Sequence, residues 1–489
     1  FYKKAIKFKI KFPEDRYIVR DLSIDYLRLA FSYRGLGLYQ DSLDIYKKAL
    51  KENQSMKGIY HPNNAYYLSQ LGKAYTLVGQ YEKAWDYLED GLRIKKNEIG
   101  KGHPKLKDYI KRLADNYFRE GNYSEAEQIY LEAIEDSKTK FGYENLINAF
   151  YYENLAFMYS QIGLLSKQKN NLLKANAIRE KINGKDDSDV AYNNIDIAGI
   201  EIKEGNFEQA ENILLKSLSI FKISKNKQRI SFVNDALGDL YYSKGLYKKS
   251  IDYLTKVQKY KEQAYGKKSL TYASTNMPLA SAYLGLGNYK KSEELLLQNL
   301  EINKNIRGEK DPVMIELTCS MALFYITQDE FEKASNLMQK VNEIIIQEFA
   351  NYSYKTIDLV SRTYAIILTS GGAYKEAIQF YKDNIASQRN NYGEDTLRIA
   401  SDFEGLGKAY KFNNQNYESI ENYKEALKIK EKILGTDHLE LSNSLANLGE
   451  IYAKESKYIN SAKNYERSIK ILLKILNREV QYVPESKRI

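Results

Sequence analysis

A unit of 42 residues recurs eleven times along this chain, and no other feature limits the possible folds so severely. The turns of the copies fall at Gly37, Gly79, Gly121, Gly163, Gly205, Gly245, Gly287, Asp329, Gly372, Asn414 and Ser456. Successive turns are 42 residues apart except for one step of 40 and one of 43. A unit this short cannot bury an apolar face alone, but stacked copies can. The period therefore specifies an array in which each unit packs on its neighbours, not a compact enzyme fold.

Other columns hold at fixed offsets from the turn. Seven residues before it every copy carries Ala or Gly, from Ala30 and Gly72 to Gly407 and Gly449. A position that small in every copy marks close contact between two helices. Four before the turn, nine copies carry Tyr; Glu201 and Leu368 are the exceptions. Spacings of three, four and seven put these residues on one face of a helix. A second apolar stripe follows nine past the turn, as at Tyr46, Leu88, Tyr130 and Leu172. Twenty-one past the turn lies a second Gly column, filled instead by Asn226, Ala350 and Asn477 in three copies. It ends the second helix, and Pro62, Pro104 and Pro312 follow four residues later, where a missing N–H costs little.

Small residue, Tyr, Gly-x-Tyr and Ala at these offsets resemble the tetratricopeptide repeat, whose unit is about 34 residues. The longer unit here, with its Gly-x-x-His-Pro loop at Gly58 to Pro62 and Gly100 to Pro104, is similar to the repeats of kinesin light chains and bacterial multi-repeat proteins. The resemblance covers about residues 1–477 and implies an all-α fold, an α-solenoid superhelix of about eleven helix–turn–helix repeats. Its bearing on function is general, because such arrays bind many proteins and peptides. The expected organisation is a second helix of a truncated repeat at 1–16, repeats one to five at 17–225, repeats six to eleven at 226–477, and a tail or linker at 478–489. The chain begins inside what reads as a second helix, which implies that residues are missing upstream.

Of the 44 Tyr, sixteen fall in two repeat columns, so the architecture accounts for much of the aromatic excess. No stretch reaches the ~18 apolar residues of a membrane helix, and no signal-peptide pattern is present. A single cysteine, Cys319, excludes an intramolecular disulfide and fits a reducing, cytoplasmic compartment. The net charge of +10 is mild beside 74 basic and 64 acidic residues. The densest basic stretch, Lys3 to Lys11, reads as a solvated helix face. The link after the fifth repeat is two residues shorter and lacks the Gly loop, and Pro278 falls inside a first helix. The array is expected to change its path between about residues 205 and 290.

No catalytic, cofactor-binding or metal site is expected. His61, His103 and His438 each sit three residues after the loop Gly, and a shared loop position in separate repeats points to loop packing or capping. Metal ligands must converge, and these loops are offset along the array. Cys319 has no His in repeats four to nine to act as its base. No phosphate loop, zinc pattern or Ser/His/Asp constellation appears.

In arrays of this resemblance the first helix of each repeat lines a groove, at six, nine and ten residues before the turn. In the first four copies these places and their neighbours supply Arg28, Arg34, Gln70, Lys73, Lys111, Arg112, Arg119 and Asn154, with Phe31, Asp115 and Phe157. Later copies are mixed to acidic, with Asp196, Asp235, Asp239, Glu316, Glu404 and Glu450 opposed by Arg362 and Lys408. By the resemblance, amides hold a peptide backbone and cations pair with its carboxylates. The expected partner is thus a protein or peptide, acidic where it meets the N-terminal repeats.

Two readings stay open. Long arrays rich in Lys, Asn, Ile and Tyr resemble those preceding a caspase-like peptidase domain of the CHAT type, and the array would then sense a partner for such a protease. No catalytic residue of that domain is present. In the other reading the array is a stand-alone adaptor. A nucleic-acid binder needs a continuous basic stripe, which the acidic later repeats interrupt.

Overall fold

The computed structural model describes residues 22–35, 38–348, 354–392, 396–436, 438 and 440–481, all helix, turn or loop. The chain forms two compact units, residues 1–193 and 194–489. The first contains α1 (Leu22–Gly35), α2 (Tyr39–Lys57), α3 (Asn64–Leu77), α4 (Tyr81–Ile99), α5 (Lys107–Glu120), α6 (Tyr123–Phe141), α7 (Leu146–Gln161) and α8 (Leu165–Asn183). The division falls in α9 (Ser188–Lys203). The second unit continues with α10 (Phe207–Ile223), α11 (Lys227–Ser243), α12 (Tyr247–Tyr265), α13 (Leu270–Ala273), α14 (Asn276–Gly285), α15 (Tyr289–Arg307), α16 (Pro312–Ile326) and α17 (Phe331–Glu348). It ends with α18 (Tyr354–Ser370), α19 (Tyr374–Tyr392), α20 (Leu397–Phe412), α21 (Asn416–Leu434), α22 (Glu440–Lys454) and α23 (Tyr458–Gln481). Within each unit consecutive helices pack antiparallel in pairs. First helices also lie on first helices, α3 on α5 and α5 on α7 in the first unit, α16 on α18 and α18 on α20 in the second.

The small position before the turn meets the large position nine past it, inside one helical pair. A Cβ on Gly72 would stand 2.5 Å from Leu88 Cγ, and one on Gly238 would stand 2.6 Å from Leu254 Cδ2. Where the first helix carries Ala, as at Ala30 and Ala322, that Ala is fully buried. A hydroxyl reinforces several pairs: Ser42, Ser250, Ser419 and Ser461 donate to the carbonyls of Ala30, Gly238, Gly407 and Gly449 at 2.8, 2.8, 2.6 and 2.8 Å. That position is Ser or Ala in every copy except the fourth, which has Gln168.

At the turns the backbone takes a left-handed φ whatever the residue: Gly79 76°, Asp329 59°, Asn414 59°, Ser456 56°. Gly37 lies outside the described residues. The loop column differs. Gly100 has φ 82° and ψ 160°, and Gly435 has φ 84° and ψ 169°, a region open only to Gly. Where Gly is missing the chain takes another course. Asn226 has φ −80° and caps α11, its Oδ1 accepting the Arg229 N–H at 3.1 Å. At Asn477 the helix simply runs on. Ala350 and Gly393 lie outside the described residues.

The first helix that contains Pro278 is broken. The first helix of the seventh repeat stops at Ala273 and restarts at Asn276. Pro278 has no N–H for the carbonyl of Ser274, and the interruption falls at that carbonyl. Asn276, buried, fixes the restart: its amide accepts from Gln258 at 2.9 Å and donates to Gln298 at 3.0 Å, bridging α12 and α15.

Candidate functional site

Three first helices meet in the first unit, with α3 in the middle. From one side Arg34 of α1 donates from Nη1 to Gln70 Oε1 at 3.3 Å. From the other, Arg112 of α5 donates from Nη1 to Ser69 Oγ at 2.7 Å. Ser69 and Gln70 are adjacent and buried, and Lys73 stands one turn further along the same face. The two guanidinium groups thus flank a lysine, and the groups that accept their hydrogen bonds are neutral. The Arg34 guanidinium also lies 4.8 Å from the Phe31 ring centroid.

The electrostatics reflect this crowding. Burial lowers the pKa of Lys73, and Arg34 and Arg112 lower it further, while Asp115 opposes them. Burial likewise lowers Arg112, with Asp108 acting against the shift and Arg34 adding to it. Lys111 is the better compensated cation, its Nζ 3.2 Å from Asp115 Oδ1. It also lies 5.9 Å from the ring of Phe157, which is 57% exposed.

Of the expected groove residues, Arg34, Gln70, Lys73, Lys111 and Arg112 come together. Arg28 and Arg119 are exposed at other turns of α1 and α5. Asn154 donates to the Phe150 carbonyl of its own helix at 2.7 Å. Ser69 and Asp108 belong to the constellation without having been expected. Ser69 occupies the place ten before its turn, so its column could have found it; Asp108 lies one helical turn before Arg112.

In the second unit four cations of the last repeats meet carboxylates. Arg362 pairs with Asp402 through two bonds, Nε to Oδ1 at 2.8 Å and Nη2 to Oδ2 at 3.2 Å. Arg398 pairs with Asp358 at 2.9 Å, Lys430 with Glu404 at 2.8 Å and Lys411 with Glu450 at 2.5 Å. Earlier in this unit Asp235 and Asp239 share one face of α11. The Asp239 side chain reaches solvent, yet the surrounding wall desolvates it, and with Asp235 beside it its carboxyl is pushed up to about 6.

All three histidines cap their loops. His61, His103 and His438 each accept at Nδ1 the backbone N–H two residues on, at 3.1, 3.1 and 3.2 Å. His438 is buried, and its Nε2 meets the Lys203 carbonyl. Among the described residues no cluster of His, Cys, Asp and Glu could hold a metal ion. Burial pushes the Cys319 thiol up to about 11, slightly offset by its bond with Thr363, so it stays a thiol at neutral pH. Among the described residues no helix is long and apolar enough to cross a membrane.

Models of the tetratricopeptide repeat match residues 22–97 and 404–474, 111–145, and 233–264. These segments carry the tetratricopeptide-repeat pattern. Similar solved structures include BtubC (BKLC) from P. vanneervenii, 20% identical, covering 47% of this chain and 91% of that chain with a TM-score of 0.40. A putative kinesin light chain of Podosopora anserina with nearly identical TPR-like repeats is 18% identical, covering 41% of this chain and 94% of that one, TM-score 0.32. A Rap protein complexed with competence and sporulation factor is 10% identical, covering 85% and 99%, TM-score 0.48. No curated protein sequence matches the chain.

Proposed function

We propose that this array of tetratricopeptide repeats is a protein-interaction scaffold, and that its first three repeats hold an extended, acidic segment of a partner protein. One observation carries the reading. Arg34 and Arg112 are held by neutral oxygens around Lys73, whereas Arg362, Arg398, Lys411 and Lys430 each have a carboxylate. Crowding cations in a partly desolvated place costs stability, and an arriving carboxylate relieves the cost.

Exposed ion pairs contribute only ~0.2–1 kcal/mol each, so several must act together. A fluorescent, Asp- and Glu-rich peptide should bind, more tightly as salt is lowered. Its Kd should rise by about tenfold or more, ~1.4 kcal/mol, in the double variant Arg34→Gln, Lys73→Glu. Unchanged binding by the double variant would refute the groove assignment.

A second reading is that the array regulates a caspase-like peptidase of the CHAT type. It draws on the resemblance of the repeats and on α23, where Ile471 packs on Leu441 and Leu445 while Ile469, Leu472 and Leu473 face outward. Peptide mapping of the native protein distinguishes the readings. A His- and Cys-bearing domain beyond Ile489 supports the regulator; a terminus within a few residues of it supports an adaptor.

A further inference from the structure

The geometry points to a phosphoryl group, carried on a Ser or Thr side chain of the partner segment, as the occupant of the space between Arg34, Lys73 and Arg112. The inference rests on the reading of this face as an acidic-segment groove and names the group that fits its centre. The first argument is shape. The three cations come from three successive first helices. Arg34 and Arg112 are anchored on adjacent residues of α3, and Lys73 rises one turn away. A carboxylate offers two oxygens in one plane. A phosphoryl group offers three at tetrahedral angles, one toward each cation, and guanidinium forks suit it.

The second argument is charge. Four cations act on this place, Arg34, Lys73, Lys111 and Arg112, and two carboxylates, Asp108 and Asp115, oppose them. Among these groups the excess is two positive charges. A phosphorylated side chain brings about −1.5 to −2 at neutral pH, close to what is missing. A single carboxylate brings half of it. The third argument is pre-organisation. Ser69 and Gln70 are buried and hold both guanidinium groups by their hydrogen bonds, so few rotamers need be fixed when the ligand arrives. The neutral acceptors leave the cationic charge for the ligand; a carboxylate in their place would have cancelled it.

The test compares three labelled peptides of one length and one neutral flanking sequence, with the central position occupied by phosphoserine, by a Glu-Glu pair of similar charge, or by serine. Binding is measured by fluorescence anisotropy to the full chain and to the variants Lys73→Met, Arg34→Gln and Lys73→Arg. Circular dichroism establishes that each variant is folded. The expected result is phosphoserine binding about tenfold or more tighter than Glu-Glu. That preference should be lost in Lys73→Met and Arg34→Gln and largely kept in Lys73→Arg. Equal affinity for phosphoserine and Glu-Glu would overturn the phosphoryl assignment and leave the acidic groove standing. Binding of none of the three would overturn both. A preference that survives Lys73→Met and Arg34→Gln would place the phosphoryl group elsewhere and overturn the assignment. Inorganic phosphate displacing the phosphopeptide at equal affinity would make the ligand a free anion and not a partner segment.

Discussion

At Asp329, Asn414 and Ser456 the chain turns at φ of 59°, 59° and 56° without glycine, whereas Gly100 combines φ 82° with ψ 160°. The first conformation is uncomfortable for a residue with a Cβ and the second is closed to it. Substitutions should separate the two. Gly100→Ala should lose about 1–3 kcal/mol through backbone strain alone, since an added Cβ would meet only the far end of Lys140 at 3.6 Å. Ser456→Gly should be neutral or gain up to about 1 kcal/mol. Thermal unfolding checks both, and equal effects at the two sites would contradict the distinction. Sequence showed both columns, because each recurs at a fixed offset, but not that they serve different backbones. Only the substitutes hinted at it: the turn accepts Asp, Asn and Ser and stays a turn, whereas at Asn226 and Asn477 the loop is rebuilt or replaced by helix.

Helices assemble here through a small position facing a large one, and the seventh repeat departs from the regular pattern at its first helix. Pro278 signals the break, yet Asn276 holds it. Restoring an N–H by Pro278→Ala offers one backbone bond, net about 0.5–1.5 kcal/mol, against a buried amide already tied to α12 and α15. Pro278→Ala should therefore shift stability by less than about 1.5 kcal/mol, while Asn276→Ala should cost about 2–3 kcal/mol by stranding Gln258 and Gln298. Urea unfolding of the two variants decides; a larger effect at Pro278 would assign the break to proline alone. The helices themselves were legible, since offsets of three, four and seven recur in every copy. The site was legible only in part. Which long side chain swings to which neighbour is decided between repeats, where no period operates. Arg34 reaches across to α3, but Asn154, in a groove column, turns back onto its own helix.

Across the whole molecule, stability in a stacked array is a sum of units and nearest-neighbour interfaces. Damage should therefore stay local. Arg362→Met leaves Asp402 buried without its cation and should cost about 3–5 kcal/mol where α18, α19 and α20 pack. Hydrogen exchange should quicken in those helices and their neighbours while amides of α1 to α7 keep their protection; acceleration at both ends would show a single cooperative molecule. The paired small and large positions also bear on how such a chain is inherited. Gly72 and Leu88, or Gly238 and Leu254, belong to the same copy of the unit. A duplication or loss of one whole copy carries both halves of each lock, so the number of copies can drift over generations without repacking a helix pair. The Arg34, Lys73 and Arg112 constellation has no such protection. It is shared among three consecutive copies, and an insertion between any two of them would preserve the architecture and erase the site.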